Sequence, residues 1–150
     1  MRVVAKNKKA FFNYDIVDTY EAGISLTGSE VKSIREGKIS IKESYVTIKD
    51  GEVFLINCHI SHYEAANLLN HKTRRDRKLL LHRQEIKRLT GKIKQKGLTI
   101  IPTKVVINER GLIKVQISLA KGKRLYEKRE TIKERDRERD MRAQLKRYQK

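Results

Sequence analysis

The densest chemistry in the chain is cationic. Lys72, Arg74, Arg75, Arg77 and Lys78 stand within seven residues, immediately before Leu79-Leu80-Leu81. A guanidinium grips a phosphate with two parallel N–H donors and stacks on an exposed base, and a lysine adds a compact point charge. Tyr126, beside Lys128 and Arg129, has the ring and neighbouring cations for stacking on an unpaired base. Groups for covalent or metal chemistry are poorly placed by comparison. His59 and His62 lie three apart at a predicted strand end with no supporting carboxylate pattern, and Cys58, inside VFLINCHI, reads as a packed small residue. Gly91-Lys92 is followed by Ile93 and lacks the upstream glycine and trailing Ser/Thr of a phosphate-binding loop. Glu21, Glu30 or Glu64 would furnish acid–base carboxylates, as any soluble chain does. No catalytic residue, metal ligand or cofactor is assigned, and the chain reads as a binder, not an enzyme.

The charge has a location. The 150 residues carry 36 Lys+Arg and 18 Asp+Glu, a formal net charge of +18. Residues 71–96 hold 11 Lys+Arg and 2 acids, and residues 121–150 hold 13 Lys+Arg and 6 acids. These two segments account for +16, so the other 94 residues are nearly neutral. Such a distribution predicts discrete surfaces for a polyanion, most commonly nucleic acid. One cysteine excludes an intrachain disulfide and a cysteine-clustered zinc site. No apolar run approaches the ~18 residues of a membrane span, and MRVVAKNKKAFF lacks a signal peptide's apolar region, so the expectation is a cytoplasmic protein with no membrane partner.

The elements that must position these groups read as mainly β. Phe11 to Tyr20 and Gly23 to Thr27 are aromatic- and β-branched-rich and predict strands. Thr27 and Glu30 have capping-box spacing for a short helix in which Val31 and Ile34 share a face and Gly37 closes the end. SYVTIK-DG-EVFLIN (44–57) predicts a hairpin, Asp50-Gly51 supplying the positive φ angles of a type I′ turn. Arg83 to Lys96 predicts an amphipathic helix with Ile86, Leu89 and Ile93 on one stripe and Gly97 as its cap. The β pattern returns at Thr99, with Asn108–Gly111 turning Thr103–Ile107 back onto Ile113, Val115, Ile117 and Leu119. These alternate with Lys114, Gln116 and Ser118, which predicts one buried face and one solvated face. About six strands and two helices favour a small OB-like β-barrel with flanking short helices, while another small α+β sheet stays open.

The domain boundary falls after residue 122. Residues 123–150 are charge-rich, with one sparse apolar stripe of Met141, Leu145 and Tyr148, and cannot build a core. They are predicted to be a basic C-terminal tail, disordered when free and helical when bound, the alternative being a helix packed on the barrel.

Five strings, in order along nearly the whole chain, carry a resemblance: EAGISLTGSEVKSIREGK (21–38), SYVTIKDGEVFL, RKLLLHRQEIKRL (77–89), GLTIIPTKV (97–105) and AKGKRLYEKRE (120–130). Together they resemble the SsrA-binding (small protein B) family. The resemblance implies an OB-like barrel and a tail disordered in the free protein. It implies a partner in the tRNA-like part of transfer-messenger RNA, and a second in ribosomes stalled during translation, where the tail enters the empty mRNA channel at the decoding centre. The resemblance also leaves room for elongation factor Tu as a partner through the RNA complex. Position by position, the implied RNA-facing set is Asn7, Lys8, Lys9, Glu21, Leu80 and His82, to which the basic stretch adds Arg74, Arg75, Arg77 and Lys78. The implied ribosome-facing set is Tyr126, Glu127, Lys128, Arg129, Lys133, Arg135, Gln144 and Leu145. The chain departs from the family where Lys72-Thr73 replaces the usual Asp-Pro, which predicts a more flexible loop, where Glu127 replaces Asp, and where Gln144 replaces an aliphatic residue. Two other classes stay open: a generic ribosome-associated or rRNA-binding basic protein, and a small metal-dependent nuclease.

Overall fold

A computed structural model describes residues 1–64, 70–95 and 97–122. Within them the chain forms β1 (Arg2–Lys6), α1 (Lys8–Asn13), β2 (Tyr14–Ile24), α2 (Gly28–Arg35), β3 (Ile39–Ser40), β4 (Tyr45–Lys49), β5 (Glu52–Ile56), β6 (His59–Ile60), β7 (Arg77–Leu80), α3 (Arg83–Ile93), β8 (Leu98–Ile107) and β9 (Ile113–Gly122). The molecule is mainly β. Six strands pair antiparallel in a ring, β8-β4-β5-β7-β2-β9, closed by β9 against β8. β1 lies along the other end of β8, and β3 and β6 form a separate two-stranded ribbon.

The core fills this ring. Ala22, Val53, Leu55, Leu79, Ile100, Val105, Val115, Ile117 and Leu119 are buried from the strands, with Ile34 of α2 and Leu89 of α3 joining them. The alternating apolar residues of β9 thus face inward as their period of two requires. α3 uses the stripe expected of it, Leu89 fully buried and Ile86 and Ile93 packed beside it. It is also tied to β2, since Lys92 Nζ donates to Asp18 Oδ2 at 3.0 Å and Tyr20 O–H donates to the same oxygen at 2.9 Å.

Local signals hold where the chemistry is local. α2 starts in a full capping box: Glu30 N donates to Thr27 Oγ1 at 3.4 Å and Thr27 N to Glu30 Oε1 at 2.9 Å. At the β4–β5 turn Asp50 and Gly51 have φ of 52° and 75°, and Lys49 pairs with Glu52 as a two-residue turn demands.

Four expectations are corrected. Phe11 to Asn13 belong to α1, not to a strand. Asn7 caps this helix by accepting from Ala10 N at 3.2 Å, and Ala10 packs against Ile101 and Ala120 on the outside of the sheet, so tertiary contacts override the aromatic β preference. Gly23 to Thr27 is not a second strand either; β2 runs unbroken from Tyr14 to Ile24 with an irregularity between Ile16 and Asp18, and Ser25–Thr27 lead into the cap. β8 begins at Leu98 and passes through Pro102, which sits at the register shift where a missing N–H is tolerated. Ser118 is not solvated: it is buried beside the Thr19 hydroxyl at 3.2 Å. The described residues therefore hold nine strands and three helices rather than about six and two.

Candidate nucleic-acid interface

Strand alternation divides the basic stretch into two kinds of residue. In β7, Arg77 and Leu79 point inward while Lys78 and Leu80 point out. Arg77 is fully buried, and its Nε donates to Glu30 Oε2. Its Nη1 donates to Cys58 O and Arg75 O at 2.8 and 3.0 Å, and its Nη2 to Lys72 O and Thr73 O, both at 3.3 Å. All five donors are consumed, so Arg77 is withdrawn from the expected phosphate-facing set; it holds the loop before β7. Arg75 donates to the other Glu30 oxygen at 2.6 Å and keeps about a third of its side chain exposed. Burial pushes the Glu30 carboxyl upward, but the hydrogen bonds from Arg75, Thr27 N–H and Arg77 outweigh it and hold the group below the usual carboxylate range.

The remaining cations of the stretch lie outside. Arg74 Nη1 donates to Asn57 Oδ1 at 2.8 Å, and Lys78 Nζ meets Glu52 at 3.1 Å across β7 and β5. Counting Lys92 with Asp18, four of the eleven cations in 71–96 are paired with three acids from elsewhere in the chain. The surface excess is smaller than the sequence total. The Lys72-Thr73 loop is held by further hydrogen bonding, since Thr73 O also accepts from Ile60 N at 2.9 Å. Beneath it, buried His71 is held by Ser29 Oγ at Nδ1 and Ile60 O at Nε2, both at 2.9 Å, and His62 lies edge-on to its ring. His71 is a packing group, whereas His62 is exposed. Cys58 is buried, and that burial pushes its thiol up to about 11, the opposite of a nucleophile.

Leu80 is 53% exposed although Leu79 beside it is 1% exposed. It lies over Gly23 of β2, where an added Cβ would come within 3.3 Å of Leu80 Cβ. A cleft of about 370 Å³ opens there, with Arg35, Leu112 and Lys114 among its walls. The sheet register then links Leu80 to the other expected residues. Gly23 is opposite Leu80 on one side and Lys114 on the other. One step along the same face, Glu21 pairs with Gln116, Gln116 with Lys104, and Lys104 with Lys6. At ~4.8 Å per strand this row spans about 14 Å, and it ends where Asn7, Lys8 and Lys9 begin α1. Glu21 and Leu80 therefore share one outer face, with Lys8 and Lys9 exposed at its far end. Asn7 is buried instead, its Nδ2 donating to Pro102 O at 3.2 Å and Ile41 O at 3.4 Å. It shapes the corner without reaching the surface. His82 is exposed at the start of α3, its N–H donating to Glu85 Oε1 at 3.1 Å.

Comparison with known proteins decides which family builds this face. The SmpB protein family model matches residues 4–147. The chain belongs to the SmpB family. The SsrA-binding protein of Thermosipho africanus is 55% identical over 147 residues, covering 98% of this chain and 99% of that protein. The SsrA-binding protein of Moorella thermoacetica is 54% identical over 150 residues, covering 100% and 97%. A solved chain described as "tmRNA-SmpB: a journey to the center of the bacterial ribosome" superposes with a TM-score of 0.69 at 48% identity, covering 83% of this chain and 87% of that one. Family membership leaves two matters of placement. Tyr126, Glu127, Lys128, Arg129, Lys133, Arg135, Gln144 and Leu145, with the rest of the tail, lie outside the described residues. The face also includes Lys114 and Gln116, which the alternation of β9 places on its solvated side, and Lys6 and Lys104, which no local pattern in the sequence marks.

Proposed function

We infer that this SmpB-family chain binds the tRNA-like part of transfer-messenger RNA and accompanies it to stalled ribosomes for trans-translation, without catalysing a reaction itself. The observation that carries this reading is the outer sheet face on which Glu21 and half-exposed Leu80 sit within a field of lysines. Lysines anchor phosphates without regard to sequence. Leu80 offers an apolar contact to a base or sugar, and the Glu21 carboxylate accepts protons from a base amino group or a 2′-hydroxyl. An OB-like barrel is the finer architecture we attach to the closed strand ring, whose narrow, side-chain-filled interior supports it. Residues 1–122 form the RNA-binding body in this scheme. The tail from 123, through Tyr126, Glu127, Lys128, Arg129, Lys133, Arg135, Gln144 and Leu145, meets the decoding centre and the mRNA path, and elongation factor Tu joins through the RNA. A cytoplasmic site of action fits, and no helix among the described residues is long and apolar enough to cross a membrane.

Sequencing the RNA that copurifies with the chain tests the function. One dominant transfer-messenger species is expected, whereas mixed ribosomal RNA would favour a generic rRNA-binding protein. Glu21→Ala tests the site: weaker binding of the tRNA-like RNA with an unchanged melting temperature is expected, and unchanged affinity would remove Glu21 from the interface.

A further inference from the structure

A second polar cleft, of about 380 Å³, lies between α1 and the start of β4. Lys9, Asn13, Lys42, Glu43 and Tyr45 line it, with the buried Ala10 and Ile101 among its walls. Two other polar side chains there are committed to the fold: Asn7 bridges two carbonyls, and Ser44 Oγ donates to Ile41 O at 2.6 Å. The five lining side chains are not. Among the described residues, Lys9, Asn13, Lys42, Glu43 and Tyr45 make no side-chain hydrogen bond or ion pair. Tyr45, the first residue of β4, is an aromatic side chain left 50% exposed.

The geometry points to a pocket for one unpaired nucleotide of the bound RNA, its base stacked on Tyr45 and its phosphate held by Lys9 and Lys42. The volume lies in the lower part of the ~300–1,000 Å³ range of small-ligand clefts, as a single nucleotide requires. Tyrosine stacks on any base face, which suits a base splayed out of a loop. The Asn13 amide presents both a donor and an acceptor to a base edge. Glu43 opposes phosphate but accepts from a base amino group or a ribose 2′-hydroxyl, so it orients the nucleotide with its phosphate toward the lysines. Lys9 joins this cleft to the face described above through Lys6 and Lys104. The inference rests on the RNA-binding function and extends it to Asn13, Lys42, Glu43 and Tyr45.

Binding is measured with the full-length chain at fixed salt, once with the tRNA-like RNA fragment and once with ribosomes. Tyr45→Leu is expected to weaken one of the two by about tenfold, with Tyr45→Phe near the unaltered affinity. Lys42→Gln is expected to lower the slope of log affinity against log salt by about 1 for the same RNA. A loss confined to the fragment assigns the nucleotide to the tRNA-like RNA, and a loss confined to ribosomes assigns it to ribosomal RNA. Unchanged binding of both by Tyr45→Leu and Lys42→Gln, while Glu21→Ala still weakens the fragment, overturns the pocket and leaves the function standing. An unaltered chain that binds neither RNA overturns the function itself. If Tyr45→Leu lowers the melting temperature, Asn13→Ala, which removes the base-edge contact at a partner-free position, carries the test of the pocket in its place: weaker binding supports it and unchanged binding of both RNAs overturns it.

Discussion

Glu30 matters more to this molecule than any residue of the expected RNA-facing set. It is buried, caps α2, and balances two arginines at once, so replacing it strands the Arg77 guanidinium in the core. Glu30→Gln should lose about 3–5 kcal/mol in a denaturant titration, the usual cost of leaving one member of a buried ion pair uncompensated. Removing the exposed Lys78–Glu52 pair with Lys78→Ala should cost less than about 1 kcal/mol, because solvent screens it. The pH dependence follows from the same site. Since the Glu30 carboxyl titrates below its ordinary value in the folded chain, its stabilisation is complete above about pH 4.5 and disappears as pH falls through the lowered value. Glu30→Gln should therefore flatten the acid limb of stability against pH; an unaltered limb would assign it to other carboxylates. None of this was legible in RKLLL alone. A run of five cations looks uniform until strand alternation turns one of them inward.

At the scale of elements, local and tertiary causes separate cleanly. The capping box of α2, the Asp50-Gly51 turn and the apolar stripe of α3 are each specified within a few residues, and each forms where its pattern predicts. α1 is the counterexample. Its residues favour a strand, yet Asn7 is fastened to Pro102 and Ile41 and Ala10 to Ile101 and Ala120, partners 34 to 110 positions away along the chain. The β2–β7 ladder is likewise non-local, and it is what sets Leu80 over Gly23. Gly23→Ala tests that contact. The added methyl would press on Leu80 Cβ, which moves only with the β7 backbone, so stability should fall by about 1–3 kcal/mol, the usual cost of overpacking. Affinity for the tRNA-like RNA should fall several-fold as Leu80 is displaced. Full affinity with Leu80 displaced would exclude it from the interface.

For the whole molecule, the net +18 divides into +12 on residues 1–122 and +6 on residues 123–150, to which the proposed function gives different work. Deleting residues 126–150 should leave binding of the tRNA-like RNA mostly intact and abolish peptide tagging on stalled ribosomes; equal loss of both would refute a two-surface protein. Binding by the body alone should still weaken steeply with salt, since its exposed lysines displace counterions from phosphate, and a flat dependence would place the affinity elsewhere. The family, the two basic segments with the near-neutral remainder, and the elements with short-range signals were all readable from residue order, because spacing, turn chemistry and charge runs are properties of neighbours. Which polar and charged side chains reach the surface was not. Arg77 and Asn7 turn inward, while Lys6, Lys104, Lys114 and Gln116 join Glu21 and Leu80 on one face, through pairings between segments up to about a hundred residues apart. Such pairings are settled when the ring closes around a single core, and no window of the sequence contains them.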